Sequence, residues 1–248
     1  MAKVAIITGA SRGIGAATAL RLASDGFDIC VNYLSNQNAA NQVVEIARSR
    51  GVQALAVQAD ISSEGQVNRL FEETANILGE PYALINNAGI LFPQCRVSEL
   101  TADRINKVLS TNVTGYFLCC IEAIKYMSTK NAGNGGVIVN VSSMASRLGA
   151  AGEYVDYAAS KGAVDSLTIG LANEVAEEGI RVNGVRPGLI YTDMHSSGGE
   201  PDRVNRLKNS VPLKRGGLPE EVAAAISWLV SNESSFTTGS FIDVAGGR

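Results

Sequence analysis

The sequence is poor in residues that bind metal ions. Its 248 residues include one histidine, His195, and four cysteines that form neither a Cys-x-x-Cys pair nor a spaced zinc pattern. One imidazole cannot form a metal cluster, so no metal cofactor is expected. Unpaired cysteines are typical of proteins in a reducing compartment.

Charge of one sign and long apolar runs are also missing. The formal net charge of −3 gives no electrostatic reason to expect nucleic acid or an anionic membrane as a partner. No apolar run approaches the ~20 residues that a membrane span requires. The chain enters a strand-like run at residues 3–8 without a secretory signal, which predicts a cytoplasmic location.

Strand and helix patterns alternate along the chain, which favours an α/β fold with helices on both faces of a parallel sheet. A single domain over residues 1–248 with about seven strands in a doubly wound sheet is expected, because no linker or repeat divides the chain. The predicted strands are 4–8, 28–32, 53–58, 83–86, 137–141, 181–185 and 240–244. The predicted helices are 14–24, 39–50, 64–78, 103–127, 157–178 and 220–230.

A glycine-rich turn follows the first predicted strand. Such a turn between a strand and a helix cradles a pyrophosphate, because the backbone approaches the phosphates closely and the helix amides point at them. The spacing is Gly-x-x-x-Gly-x-Gly rather than Gly-x-Gly-x-x-Gly. The turn therefore indicates dinucleotide binding by these residues: Gly9, Ser11, Arg12, Gly13, Ile14 and Gly15.

The same turn also contains Gly-x-Ser-x-Gly, the nucleophile elbow of serine hydrolases. In that remote alternative Ser11 is the nucleophile and His195 completes the triad. The elbow needs an earlier strand to supply its oxyanion loop, and only ten residues precede Ser11.

Two other strands are followed by candidate ligand contacts. Asn87, Ala88 and Gly89 follow the fourth predicted strand, and Ser142 and Ser143 follow the fifth. Ligands of an open parallel sheet bind beyond the carboxyl ends of its strands. Turn or cap roles are the alternative for each group taken alone.

Tyr157 and Lys161 stand four residues apart at the start of a helical stretch, so both side chains lie on one face. Bringing a phenol from its ordinary pKa of about 10 to neutrality requires ~4 kcal/mol. A close cation in a partly dry site supplies energy of that order. The pair predicts an acid-base group.

These motifs together resemble those of short-chain dehydrogenases/reductases, over nearly the whole chain. The resemblance is greatest to the branch of 3-oxoacyl-carrier-protein reductases and glucose 1-dehydrogenase-like enzymes. It implies a Rossmann-type fold, hydride transfer between a nicotinamide and a carbonyl or secondary alcohol, and a homotetramer. The matching segments, in family order, are 8–15, 86–89, Asn112, Ser143, 157–161 and 186–188.

The resemblance also implies roles for individual residues. Tyr157 would transfer the proton, while Lys161 would lower the pKa of Tyr157 and hold the nicotinamide ribose. Ser143 would bond the substrate oxygen, and Asn112 would position a water in the proton relay. Many relatives carry the serine thirteen residues before the tyrosine, where this chain has Met144. Ser143 is preferred, with Ser142 as the alternative.

NADP is the predicted cofactor, and NAD is the less favoured alternative. Arg12 offers a guanidinium for a 2′-phosphate, and residues 31–36 contain no acid that would repel it. Asp60 and Ile61 resemble the family pair at the adenine, although Asp60 could instead cap the next helix. The segment that meets the nicotinamide in relatives matches Pro187, Gly188, Ile190 and Thr192.

The substrate pocket is predicted at 91–96, 147–154 and 189–211, with Tyr154 lining it and the irregular segment 189–211 acting as a mobile lid. The sequence does not name the substrate. A catalytically silent dinucleotide-binding regulator of the same fold is the remaining alternative.

Overall fold

The computed structural model describes residues 2–248, and within them seven parallel strands form one sheet. The spatial order is β3-β2-β1-β4-β5-β6-β7. The chain therefore reverses its direction of travel across the sheet between β3 and β4. The strands are β1 (Val4–Ile7), β2 (Asp28–Tyr33), β3 (Ala54–Gln58), β4 (Pro81–Asn86), β5 (Gly136–Val141), β6 (Ile180–Pro187) and β7 (Phe241–Val244).

Helices cover both faces of the sheet. One apolar core contains side chains of α1, α2 and α10, and the opposite core contains side chains of α3, α5 and α7. None of the helices in the described part of the chain is long and apolar enough to span a membrane. The helices are α1 (Gly13–Ser24), α2 (Gln37–Ser49), α3 (Glu64–Leu78), α4 (Ala102–Leu109), α5 (Gly115–Met127), α6 (Ala145–Leu148), α7 (Val155–Val175), α8 (Met194–Ser197), α9 (Arg203–Leu207) and α10 (Pro219–Val230).

The doubly wound parallel sheet confirms the predicted fold class. The predicted helix over 103–127 is helical throughout but not uniform, because a π-helical segment, Ser110–Thr114, joins α4 to α5. Such a widened turn has no local sequence signal and often marks a functional site. The segment 189–211 is not wholly irregular, since it contains α8 and α9.

A buried polar chain fixes α7 against the sheet. The Asn86 side-chain amide donates to the Asn140 oxygen (3.0 Å), and the Asn140 amide donates to the Thr168 hydroxyl (2.9 Å). All three side chains are fully buried. Because unmade buried hydrogen bonds are costly, the chain sets the position of α7, which carries Tyr157 and Lys161, relative to β4 and β5.

Thr168→Val should lower the free energy of unfolding by about 1–3 kcal/mol, because the buried Asn140 amide loses its acceptor. Thr74→Val is the matched control. Thr74 is equally buried and also donates to the carbonyl four residues earlier (2.7 Å), but it accepts no side-chain amide. Urea unfolding should show a clearly smaller loss for the control. Equal losses would contradict the proposed role of the polar chain.

Candidate active site

The turns after β1 and β4 are joined by hydrogen bonds. The Thr8 hydroxyl accepts from the backbone amides of Asn87 (2.9 Å) and Ala88 (3.0 Å). The Asn87 side-chain amide donates to the carbonyl oxygens of Thr8 (2.8 Å) and Gly9 (3.2 Å). Gly9 has φ of +61°, and a Cβ on it would lie 2.9 Å from the Ala88 Cα. The two turns therefore meet where β1 and β4 are neighbours, the position at which doubly wound sheets bind ligands.

The beginning of α1 is open towards this crevice. Arg12 occupies the N-cap position in an extended conformation, and its side chain does not cap the helix. The backbone amides of the first turn of α1, which follow Arg12, have no intrahelical acceptor and point out of the helix end. A Cβ on Gly15 would lie 2.5 Å from the Asn87 side-chain nitrogen. An uncapped helix end beside a glycine cradle fits the pyrophosphate of a dinucleotide.

The end of β2 carries no charge. Asn32 accepts a hydrogen bond from the Gly9 amide (3.1 Å) and donates to Ala59 (3.0 Å), so it connects three strand ends. The Arg12 side chain is 61% exposed and lies 3.9 Å from Asp193. An exposed pair of this kind contributes little energy, so the guanidinium is available to a ligand.

Asp60 does not cap α3, and that interpretation is wrong. Its carboxylate accepts from the Ser62 amide (2.9 Å) and hydroxyl (2.7 Å), which forms a local turn, while Ser63 occupies the N-cap position. Ile61 is buried against α5, where a Cβ on Gly115 would lie 2.7 Å from its Cδ1. The Ile61 side chain therefore packs in the core.

A cavity lies beyond the carboxyl ends of β5 and β6. Residues of the three predicted pocket segments line it, including Leu91, Leu148, Tyr154 and Arg203. It also brings together many of the predicted site residues: Ile14, Asn87, Ser142, Ser143, Tyr157, Lys161, Pro187, Gly188, Ile190 and Thr192.

Lys161 is buried at the inner end of this cavity. Its Nζ donates to the Val141 carbonyl (2.8 Å) and to the Tyr116 hydroxyl (3.2 Å), and it lies 5.7 Å from the centre of the Tyr157 ring. Burial lowers the pKa of Lys161 to about 7, although the charge of Asp165 acts in the opposite direction.

The expected acidification of Tyr157 by Lys161 is not found. Burial raises the pKa of the Tyr157 phenol to about 12, while hydrogen bonding with Ser143 acts in the opposite direction. The net balance therefore favours the protonated phenol.

Asn112 lies in the π-helical segment and is fully buried. Its side chain accepts from the Ile90 amide (2.8 Å) and donates to the Ile90 carbonyl (3.1 Å) and the Ser160 hydroxyl (3.1 Å). A Cβ on Gly89 would lie 3.4 Å from the Asn112 oxygen and 3.7 Å from the Lys161 Nζ. The side chain thus connects the turn after β4 to α7 beside Lys161.

The two serines after β5 differ in their partners. Ser142 is buried and its hydroxyl donates to the Lys161 carbonyl (3.2 Å). The Ser143 oxygen accepts from the Ala145 amide (3.1 Å). Hydrogen bonding between the Ser143 hydroxyl and Tyr157 acts to lower the pKa of the Tyr157 phenol. This arrangement favours Ser143 over Ser142 as the residue that meets a substrate oxygen.

The segment 189–211 lies over the cavity. The position of a Cβ on Gly13 would be 3.5 Å from the Thr192 Cγ2, and the Tyr154 hydroxyl lies 3.4 Å from the Gly198 carbonyl. Arg203 in α9 forms an ion pair with Glu153 in the loop before α7. His195 forms a hydrogen bond with the Ile190 carbonyl (2.9 Å), and burial lowers its pKa.

Tyr116 was not predicted as a site residue. It is fully buried in α5, donates to the Val141 carbonyl (3.1 Å) and accepts from Lys161. A tyrosine within an apolar helix is an ordinary core residue by sequence, and only the packing of α5 on α7 reveals this contact.

Comparison with known proteins gives consistent matches over the chain. A family model described as enoyl-(acyl carrier protein) reductase matches residues 9–248. An uncharacterized oxidoreductase, YgfF, of Escherichia coli is 61% identical over 99% of this chain and 99% of its own length. Glucose 1-dehydrogenase 2 of Bacillus subtilis is 36% identical over 99% of this chain and 94% of its own length.

A solved structure is also similar to this chain. A short-chain dehydrogenase from Burkholderia cenocepacia in complex with NADP superposes with a TM-score of 0.90 at 33% identity. The match covers 99% of this chain and 97% of that chain.

The buried Lys161 should make stability depend on pH. Between about pH 7 and the ordinary lysine pKa of 10.5, the unfolded chain binds a proton at this site that the folded chain does not. The contribution of Lys161 to the free energy of unfolding of the wild type therefore rises with pH across that window. Lys161→Met removes the titration, so its stability relative to wild type should be highest below pH 7 and fall by roughly 2–4 kcal/mol towards pH 10.

Urea unfolding at fixed protein concentration, at pH 6.5 and pH 9.5, measures this difference. The exposed Lys107→Met is the control and should show no such trend. A Lys161→Met difference that stays constant with pH would contradict the burial argument.

Proposed function

Because the chain belongs to the short-chain dehydrogenase/reductase family of oxidoreductases, we propose that it transfers hydride between NADP and a carbonyl or secondary alcohol, with Tyr157 as general acid and base. The observation that carries the proposal is the presence of Tyr157, Ser143 and Lys161 in one cavity next to the glycine cradle. A bound nicotinamide supplies or accepts the hydride.

The residues of this chain handle the proton and the charge. In carbonyl reduction the neutral Tyr157 phenol donates its proton to the carbonyl oxygen, and Ser143 donates a hydrogen bond to the same oxygen as charge develops there. The raised pKa of Tyr157 keeps the proton on the phenol at physiological pH. Alcohol oxidation is the reverse step, in which the Tyr157 phenolate accepts the hydroxyl proton of the alcohol as the carbon gives up its hydride.

Lys161 and Asn112 support this step in the proposal. The Lys161 amine holds the nicotinamide ribose hydroxyls and supplies positive charge beside the phenolate that forms. Asn112 holds the turn after β4 through Ile90 and would position the water that reprotonates the site.

The dinucleotide would occupy the crevice at the ends of β1 and β4. The open end of α1 would hold the pyrophosphate, Asp60 and Ile61 would meet the adenine, and the segment 187–192 would meet the nicotinamide. NADP is preferred because the Arg12 guanidinium is exposed and only weakly paired, and because Leu34, at 59% exposure, offers no acid at the end of β2. The NADP complex of the similar Burkholderia dehydrogenase supports this choice.

The substrate we propose is a small carbonyl compound or alcohol. The cavity wall is largely apolar, with Leu91, Met144, Leu148 and Met194 among its residues. Among its charged members, Glu153 and Arg203 form an ion pair, while Lys161 and Arg248 also line the cavity. The segment 189–211 acts as a lid over this wall in the proposal, within one catalytic domain.

We also propose a homotetramer, as the family resemblance implies. Apolar side chains on the outer surfaces of α5 and α7 support it: Phe117, Ile121 and Ile169 are 46%, 49% and 48% exposed. Large apolar side chains exposed to this degree are typical of an interface. A cytoplasmic location stays a prediction.

Tyr157→Phe should reduce NADPH-dependent carbonyl reduction by about 10²–10⁴-fold, because the proton donor is removed. NADPH binding, measured by fluorescence, should persist. Tyr154→Phe is the matched control, since Tyr154 lines the same cavity but has alanine four residues later. Turnover unchanged in Tyr157→Phe would disprove the mechanism, and NADPH binding without turnover of any carbonyl by wild type would favour the regulator.

Arg12→Ala should reduce kcat/KM with NADPH by roughly 10–100-fold, because a charge-assisted hydrogen bond to the 2′-phosphate is lost. The value with NADH should change little. Arg21→Ala is the control, since Arg21 lies in the last turn of α1 and pairs with Asp25. Equal losses with both dinucleotides would contradict the predicted NADP contact.

A further inference from the structure

Lys161 has no close ionic partner. Its two hydrogen-bond acceptors, the Val141 carbonyl and the Tyr116 hydroxyl, are neutral groups. Among residues 2–248, no carboxylate lies within 4.0 Å of its Nζ. An ammonium group taken out of water without compensation readily loses its proton. The extent to which Lys161 loses its proton therefore depends on a more distant negative charge.

Asp165 is the carboxylate whose charge acts on Lys161. It lies one helical turn later in α7, so the two side chains are on the same helix face. One of its oxygens accepts from the Arg186 Nε (3.0 Å), while the other is buried and has no hydrogen-bond partner among the described residues. Half of the carboxylate is thus unsatisfied in a dry region, where its field is weakly screened.

Asp165 begins a line of alternating charges that runs to the surface. Arg186 lies over the Phe241 ring (3.7 Å) and contacts Asp243 (3.3 Å), which in turn contacts Arg147 (3.2 Å). Side-chain exposure rises along this line, from 15% at Asp165 to 35% at Asp243 and 59% at Arg147. Screening by water therefore weakens the outer charges most.

We propose that Asp165 is a positioning residue that stabilises the charged form of buried Lys161, and that Arg186 limits the strength of this effect. The mechanism is electrostatic: the carboxylate stabilises the ammonium through the low-dielectric interior, and the guanidinium offsets part of its charge. The consequence for catalysis rests on the proposed function, in which charged Lys161 holds the ribose and faces the phenolate.

The ionisable groups around Lys161 and Asp165 determine the direction in which each substitution shifts the Lys161 titration midpoint. Lys161 faces the phenols of Tyr116 in α5 and Tyr157 in α7, both with pKa values raised by burial, and the carboxylate of Asp165. At neutral pH the phenols are uncharged, so Asp165 supplies the negative charge. Around Asp165, Arg186 of β6 is the direct partner, and Asp243 of β7 and Arg147 of α6 lie beyond it.

The test is a lysine side-chain NMR titration of the full chain labelled at lysine Cε and Nζ. The Lys161 signal is assigned by its loss in Lys161→Arg. Asp165→Asn should move the Lys161 midpoint to lower pH by about one unit, the effect of losing one opposite charge in a buried site. Asp165→Glu should return it most of the way. Arg186→Met should move it in the opposite direction, to higher pH.

Asp243→Asn is the matched control, because it disturbs the same line of charges at an exposed position and should leave the Lys161 midpoint within a few tenths of a unit. If Asp165→Asn does not fold, the Lys161 midpoint in Arg186→Met still tests the proposal. A midpoint that does not move in these variants, or that moves equally in Asp243→Asn, overturns the proposal.

A second readout connects the titration to catalysis. The alkaline limb of the kcat profile for NADPH-dependent carbonyl reduction should move to lower pH in Asp165→Asn by the same shift as the NMR midpoint. An unchanged limb beside a shifted midpoint overturns the catalytic part of the proposal. Absence of turnover in the wild type would instead disprove the proposed function, but it would not affect the conclusion from the NMR titration.

Discussion

A buried ammonium group at the carboxyl edge of the sheet is the constraint on which the site depends. Lys161 is 2% exposed, and the cost of desolvating its charge is reflected in a pKa lowered to about 7. Its contacts with Val141 and Tyr116 direct the amine towards the cavity, near Tyr157. Moving the amine to solvent would break the link between β5, α5 and α7 that arranges the reacting groups.

The fold provides this arrangement by placing several strand ends at one edge. Thr8 and Asn87 join the turns after β1 and β4, and the Asn86–Asn140–Thr168 chain holds α7 against β4 and β5. The glycine cradle and the cavity around Tyr157 are therefore held at the same edge of the sheet by buried hydrogen bonds. Burial that favours neutral Tyr157 suits proton donation, so the same packing that stabilises the fold also selects the protonation state.

The sequence predicted the features that depend on local spacing. The alternation of strands and helices, the glycine turn and the four-residue separation of Tyr157 and Lys161 are all local patterns, and the sheet order follows from them through the rules of parallel topology. Ser143 could be ranked above Ser142, and the structure adds a physical reason, since Ser142 is bonded to the Lys161 carbonyl.

Features that arise between distant segments could not be predicted. Tyr116 meets Lys161, Asp165 meets Arg186 and Arg203 meets Glu153 only after the chain has folded. The π-helical segment at Ser110–Thr114 has no local signal. The direction of the Tyr157 pKa was predicted wrongly because spacing reveals a nearby cation but not the depth of burial, and burial is the larger effect.

The central claim is that Tyr157 exchanges its proton with the substrate oxygen beside a bound nicotinamide. A crystal structure of the chain with NADP and an unreactive ketone analogue tests it most directly. The account predicts the Tyr157 hydroxyl and the Ser143 hydroxyl within hydrogen-bond distance of the ketone oxygen, with the ketone carbon facing the nicotinamide ring. A Tyr157 hydroxyl directed away from the ketone, with another acid in its place, would contradict it.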